Sequence, residues 1–487
     1  MRSETLGFGK TGDIAISTKQ VIIKNGGQIN NLTFGAATSG NINVQASDSI
    51  QLVGVSPFDP AVFSTISTAT FNSGDADNIT VSTRQFVARD GGNLSSSTFG
   101  TGRGADVTVS ATNSVEIIGA SPITFQPSLL SSISLSAGKA GSLTISTSKL
   151  IVRDGGRVDA STLASGEGGN VTINALKSIE ISEKIPGSGE PSLVISSANI
   201  VSPTLQKLYR LPPAPSAKSG NVTINTGQLS LTDDAEVNVR NDGSNDAGTL
   251  EINATSVSLD NKSVITATTV SGEGGNIFLN VPYLQLSNNS AVTATAGNKG
   301  NGGNININTD ILTAWGNSSI TADAFEGRGG NITINAQGLF FSPDSLITAS
   351  SKYGINGTVK YNIVDPNISP TQLKPKVIPI APQITPVCQA RAGTEVSSFR
   401  VSSTRNLQSK PNDLMHNNIE QSNSLTVPAF NNSHNPKSLT SNQPTQIIEA
   451  NVLIRDSQRN LVLTTDQANP TWDNASLSAS SCFSGSQ

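Results

Sequence analysis

Enzymes that cut chains of sugars or peptides need a nucleophile beside a base, two converging carboxylates, or a metal held by His and Cys. This chain of 487 residues holds few such groups. Its two histidines, His416 and His434, and its two cysteines, Cys388 and Cys482, all lie beyond residue 387, so Cys/His zinc clusters and a His-based triad are excluded from the first 380 positions. One adjacent acidic pair, Asp233-Asp234, remains as a candidate for acid–base work on a polysaccharide, which needs two carboxylates on one groove. The pair falls at the phase that elsewhere holds Arg89-Asp90-Gly91 and Arg153-Asp154-Gly155, where turn residues belong. Lys24, Arg89 and Arg153 read as solvated corner residues. No Gly-His-Gly segment or calcium-type Gly-Gly-x-Gly-x-Asp nonapeptide occurs. The expectation is a chain with no catalytic residue, no metal and no cofactor.

Only 14% of the residues are charged and the formal net charge is −4, without a long acidic or basic run, so nucleic acid is not the expected partner. No stretch approaches the roughly 18 to 20 apolar residues that cross a bilayer. The opening Met1-Arg2-Ser3-Glu4 lacks the pattern of a signal peptide.

A short repeat dominates the chain: Gly or Ala, a small polar residue, then aliphatic-x-aliphatic. The polar residue recurs at Asp13, Asn41, Asn78, Asp106, Ser142, Asn170, Asn221, Thr249, Asn276, Asn304, Asn331 and Thr358, at intervals of 28, 37, 28, 36, 28, 51, 28, 27, 28, 27 and 27. Aliphatic residues spaced by two, such as Val171/Ile173 and Ile305/Ile307, share one face of a strand. The polar positions are Asn, Thr, Ser and Gly, which disfavour helix interiors. The fold expected is all-β: a right-handed parallel β-helix over residues 1–365, with about twelve coils of 27–28 residues stacked at about 4.8 Å. Asn170, Asn221, Asn276, Asn304 and Asn331 are expected to form an amide ladder, each bonding its counterpart one coil away. The glycines before them, such as Gly168-Gly169 and Gly302-Gly303, are expected to supply positive φ at a corner.

Three enlarged coils place insertions near 55–70, 120–134 and 184–218, beginning at Ser56-Pro57, Ser121-Pro122 and Ile185-Pro186. Equal phase puts them on one side of the rod, in every second coil. Phe58, Phe63, Phe125, Leu129, Leu130, Leu208 and Tyr209 are apolar for loop residues. Two roles follow: a lateral binding surface carried by a rigid scaffold, or a cover packed on one face. The Asn/Thr/Ser-rich outer faces have two readings as well, sugar binding and plain solvation.

Beyond about Val364 the repeat stops. Residues 366–401 read as a Pro-rich linker with a cysteine block, 402–445 as a Ser/Asn/Gln-rich disordered stretch, and 446–487 as a short extended segment with a hairpin around Asp456–Asn460. Cys388 and Cys482 are either a disulfide in an oxidising compartment or two free thiols.

The Gly-Gly-Asn-aliphatic-x-aliphatic-Asn repeats, the Asp-Gly-Gly turns, the proline run, the blocks Cys388-Gln389-Ala390-Arg391 and Ser397-Ser398-Phe399-Arg400-Val401, and the closing Glu449–Leu463 run resemble cyanobacterial filamentous-haemagglutinin-like exoproteins, often called S-layer family proteins. The likeness covers about residues 8–400. It implies a non-enzymatic, adhesin-like product at the outer surface or released from the cell. It also implies an outer-membrane two-partner-secretion transporter as partner of the full-length form, and surface glycans or self-association through β-helix ends as further contacts. The family's signal peptide and N-terminal secretion domain have no counterpart before Gly12, so the chain reads as the C-terminal portion of such a protein. The competing readings are a β-helix polysaccharide lyase or hydrolase and an inactive truncated exoprotein.

Overall fold

Aliphatic side chains at alternate positions, interrupted every few residues by Gly, Asn or Asp, favour short strands that turn and stack. The computed structural model describes residues 1–363 and, beyond them, the strands Ser398–Ser403, Ser424–Thr426, Val452–Arg455, Leu461–Thr464 and Ala475–Ser478. Two units divide the chain, Met1–Ser369 and Pro370–Gln487.

The first unit is a parallel β-helix. Each repeat start opens a strand of one long sheet, from Ile14–Lys24 through Thr358–Ile363. Each coil then turns and adds a strand to a second sheet, which runs from Arg2–Thr5 to Leu346–Thr348. All pairings in both sheets are parallel and join equivalent positions of successive coils; Leu143, for example, stands between Val107 and Val171. Ile42, Ile79, Val107, Leu143, Val171 and Val222 are therefore one column of a continuous core, almost wholly removed from water.

The insertions begin where the sequence places them but are shorter. Residues 65–70 and 129–134 are strands, Thr65–Thr70 and Leu129–Ser134, so the first two insertions end at Ser64 and Ser128. Leu130 is 0% exposed in the core and Leu129 is half-buried; neither is a loop residue, because alternation along the strand turns Leu130 inward. The third insertion is two. A hairpin ends at Ser192, the strand Leu193–Ile195 follows, and a second insertion from residue 199 carries the helix Pro203–Tyr209. Ser202 caps that helix by accepting the Leu205 N–H, Pro203 opens it, and left-handed Arg210 (φ 54°) ends it. Leu208 and Tyr209 thus belong to a different corner from Phe58 and Phe125. Among the described residues no helix is long and apolar enough to cross a membrane.

Why inserts occupy every second coil is visible at the corner. Each hairpin closes through one antiparallel bridge, Val55 with Phe63, Ala120 with Pro127 and Lys184 with Pro191. It is pinned by a serine hydroxyl: Ser64, Ser128 and Ser192 accept the N–H of Gly26, Gly91 and Gly155 in the preceding coil. Those glycines have φ of 79°, 91° and 84°. A Cβ there would stand 2.6 Å from Ser56 Cβ, 3.1 Å from Ser121 Cβ and 1.9 Å from Ile185 Cγ1. A hairpin therefore lies down only on a bare glycine turn.

The Gly-Gly-Asn glycines serve a different purpose from the one expected. None of Gly168, Gly169, Gly274, Gly275, Gly302, Gly303, Gly329 or Gly330 has positive φ. Gly169, Gly303 and Gly330 instead lie against the coil before: an added Cβ would come within 1.9 to 2.0 Å of the carbonyl oxygen of Gly141, Gly275 and Gly303 respectively.

In the second unit Val452–Arg455 pairs antiparallel with Leu461–Thr464, the expected hairpin. Ser398–Ser403 pairs with Ser424–Thr426 and Ala475–Ser478, so the stretch 402–445 contains a strand. Cys388, Cys482 and the proline run lie outside the described residues.

Candidate functional site

The amide ladder expected at the repeat start forms in two pieces, because Thr249 stands between Asn221 and Asn276 and bonds only back to Asn221; side-chain amides meet each other only from Asn276 onward. Asn170 Oδ1 accepts the Asn221 N–H at 3.0 Å, and Asn221 Oδ1 the Thr249 N–H at 2.8 Å. From Asn276 to Asn304 to Asn331, each Oδ1 accepts both the next backbone N–H and the next Nδ2. A second, longer ladder went unread: Asn174, Asn225, Asn253, Asn280, Asn308, Asn335 and Asn362 join Nδ2 to Oδ1 at 2.6 to 3.0 Å. Its signal is an asparagine four residues after each of the last seven repeat starts.

The hairpin bases pack down and their tips project. Phe63 is half-buried beside the closing bridge, while Phe58 is 96% and Phe125 48% exposed, with Ile123 beside it. Tips on neighbouring inserts approach each other: a Cβ on Gly187 would stand 4.0 Å from Phe125 Cε1. On the other corner, Phe34, Phe71 and Phe99 follow equivalent strand ends and stack at 4.7 and 4.9 Å, nearly parallel. Tyr209 meets Phe99 at 6.1 Å, so the helix insertion reaches back along the rod to an aromatic column three coils earlier. Equal phase of three phenylalanines was the available signal.

The acidic pair is a corner. Asp233 and Asp234 both have positive φ; Asp233 accepts the Asn261 amide at 2.6 Å and Asp234 pairs with Lys184 at 2.9 Å. Beside them Glu183 stands in the coil between Asp154 and Asp233. Its hydrogen bond to Asp154, then desolvation, then repulsion from both aspartates raise its carboxyl above the usual range, against Arg153.

A mixed polar and charged patch lies on the outer face of the second sheet, in the three coils around the doubled insertion. Alternation points Arg157, Asp159 and Ser161 outward in one coil, Leu193, Ile195 and Ser197 in the next, and Glu236, Asn238 and Arg240 in the third. Strand register sets Asp159, Ile195 and Asn238 in one column. Arg157 donates to Glu190 of the hairpin at 2.7 Å, Ser161 N–H to Asp159 at 2.8 Å, and Asn238 to Glu236 at 3.0 Å. Ile195 is 3% exposed at the centre. Burial raises the Asp159 carboxyl, with the Ser161 bonds and Arg157 opposing. The hairpin stands at one end of Leu193–Ile195 and the helix insertion at the other, so this is the one described strand of that sheet with an insert at each end. Among the described residues no group of three or more His, Cys, Asp or Glu is placed to hold a metal ion.

Compared with known proteins, the chain matches no family model, no curated protein and no solved structure.

Proposed function

We propose that the chain is a non-catalytic, adhesin-like rod that binds surface glycans or partner proteins through lateral features. The carrying observation is the row of exposed apolar hairpin tips, Phe58, Ile123 and Phe125, on pinned bases along one edge of a charge-poor rod. Apolar residues held in water by a rigid support favour a partner that covers them. The resemblance of the repeats supports an extracellular setting and a two-partner-secretion transporter for the full-length form. In a pull-down on intact cells of the source organism, the wild-type chain binds and the Phe58→Ser/Ile123→Ser/Phe125→Ser variant loses most of that binding. Equal binding by a folded variant removes the hairpin tips from the adhesive surface.

The alternative, a polysaccharide lyase or hydrolase, draws on one observation, the carboxyl of Glu183 held protonated to higher pH between Asp154 and Asp233. Loss of a measured cleavage in Glu183→Gln sustains it. A purified chain that cleaves no polysaccharide ends it.

A further inference from the structure

In the last coils the first sheet breaks where it earlier runs through. Val171–Ser182 is one strand, whereas Ile277–Asn280 and Tyr283–Leu286 are two, as are Ile305–Asn308 and Ile311–Ala314. Along that break the outer surface is hollowed into a groove of about 460 Å³ that crosses three coils, within the roughly 300 to 1,000 Å³ of small-ligand sites. One wall is the second asparagine ladder, at Asn280, Asn308 and Asn335, and Pro282, Asp310 and Gln337 line the groove beside it. The next outward column is apolar. Tyr283 stands in register with Ile311, and Ile311 with Gly338; Tyr283 is 53% and Ile311 38% exposed. The bare Gly338 is covered by the ring of Phe340, itself 62% exposed, since a Cβ there would stand 3.1 Å from Phe340 Cε2.

We infer that this groove binds an extended, uncharged, β-linked glycan chain laid along the rod, one sugar unit to a coil. The inference rests on the reading of the chain as a glycan-binding rod and gives it a site apart from the hairpin tips. The coil rise of about 4.8 Å is close to the advance per sugar of an extended β-1,4-linked chain, so a contact made in one coil recurs for the next sugar in the next coil. Within the ladder each amide gives one N–H and takes one: Asn308 donates to Asn280 at 2.8 Å and accepts from Asn335 at 2.6 Å. An amide carries two N–H groups and two lone pairs, so each step keeps a donor and an acceptor for sugar hydroxyls. Opposite, Tyr283, Ile311 and Phe340 offer apolar surface to the C–H faces of the rings. Asp310 is the one charged residue lining the groove, and one of its oxygens accepts the Gln337 amide at 2.7 Å. Its carboxylate has capacity for a sugar hydroxyl as well and repels an anionic chain.

The full chain is titrated by calorimetry with cellohexaose, β-1,4-mannohexaose and chitohexaose, with α-linked maltohexaose as a coiled control and oligogalacturonate as an anionic one. Saturable binding of at least one of the first three is expected, tighter than either control. Affinity for that sugar is expected to rise with chain length up to the trimer and to gain less beyond it, because three coils line the groove. Tyr283→Ala and Phe340→Ala alter side chains more than half exposed, so each is expected to keep the thermal midpoint and to weaken binding about tenfold. The proposal is overturned by no binding of the three, by tighter binding of a control, by affinity independent of length, or by unchanged binding in both folded variants. The Phe58→Ser/Ile123→Ser/Phe125→Ser chain is expected to keep the sugar binding; its loss there moves the sugar site to the tips and overturns the groove. If no sugar binds while cells still capture the chain through the hairpin tips, the groove falls and the adhesin reading stands. If neither binds, both fall.

Discussion

The first seven coils and the last five are built from the same repeat and differ in how they treat their corners. In the first part, glycine turns at Gly26, Gly91 and Gly155 carry hairpins, and ion pairs such as Lys139 with Glu167, Arg157 with Glu190 and Lys218 with Asp246 tie neighbouring coils. In the last part intervals stay at 27 or 28 and the corners are amide or carboxylate steps: Asn288 to Asp260 at 2.7 Å and Asn317 to Asn289 at 3.1 Å. The second asparagine ladder runs there without a break from Asn253 to Asn362, and the first from Asn276 to Asn331. A corner whose side chain bonds the next coil has no room for an insert, whereas a bare glycine corner leaves backbone that a hairpin serine can take. Regularity stiffens one part and gaps in it give the other its surface features.

Five substitutions test that contrast, the losses running from largest to smallest with Ala105→Gly as the control for the first. Gly303→Val, in the regular part, is expected to cost about 3 kcal/mol or more, because its Cβ would press on the Gly275 carbonyl 2.0 Å away with no side chain to move aside. The same column holds Ala105 in the inserted part, so Ala105→Gly should change stability by less than about 1 kcal/mol; chemical denaturation of both variants checks the difference. Leu130→Ala should cost about 2 to 4 kcal/mol in the same measurement without changing cell binding, as fits a core residue. Ser128→Ala orphans the buried N–H of Gly91 and is expected to cost about 1 to 3 kcal/mol. Protection of the Gly91 amide from hydrogen exchange should fall with it.

The smallest effect is a gain. Glu183 has φ 67° where the other insert-bearing coils have Gly54 and Gly119, at 72° and 71°. Glu183→Gly removes left-handed strain of about 1 kcal/mol, partly offset by glycine's larger unfolded-state entropy, and removes a carboxylate wedged between two others. The pH dependence has a definite sign. The folded carboxyl is raised, so above the ordinary glutamate range the folded chain holds more protons than the unfolded one, and stability falls as pH rises through that window. The gain from Glu183→Gly should therefore grow from acid toward neutral pH in thermal melts, and a constant difference across pH would leave only the backbone strain.

Chemistry of single residues and their spacing determined the coil count, the inward columns, the first amide ladder, the phase of the inserts and the hairpin of the second unit. Each depends on residue type at a fixed interval, and a stacked coil turns interval directly into neighbourhood. Leu129 and Leu130 read as loop residues because an insertion and the strand after it look alike when both are apolar. The division of the longest insertion, Tyr209 against Phe99, and the pairing of Arg157 with Glu190 and of Lys184 with Asp234 were decided only by tertiary structure. Their partners stand one to three coils away, at distances set by how far each insert folds back.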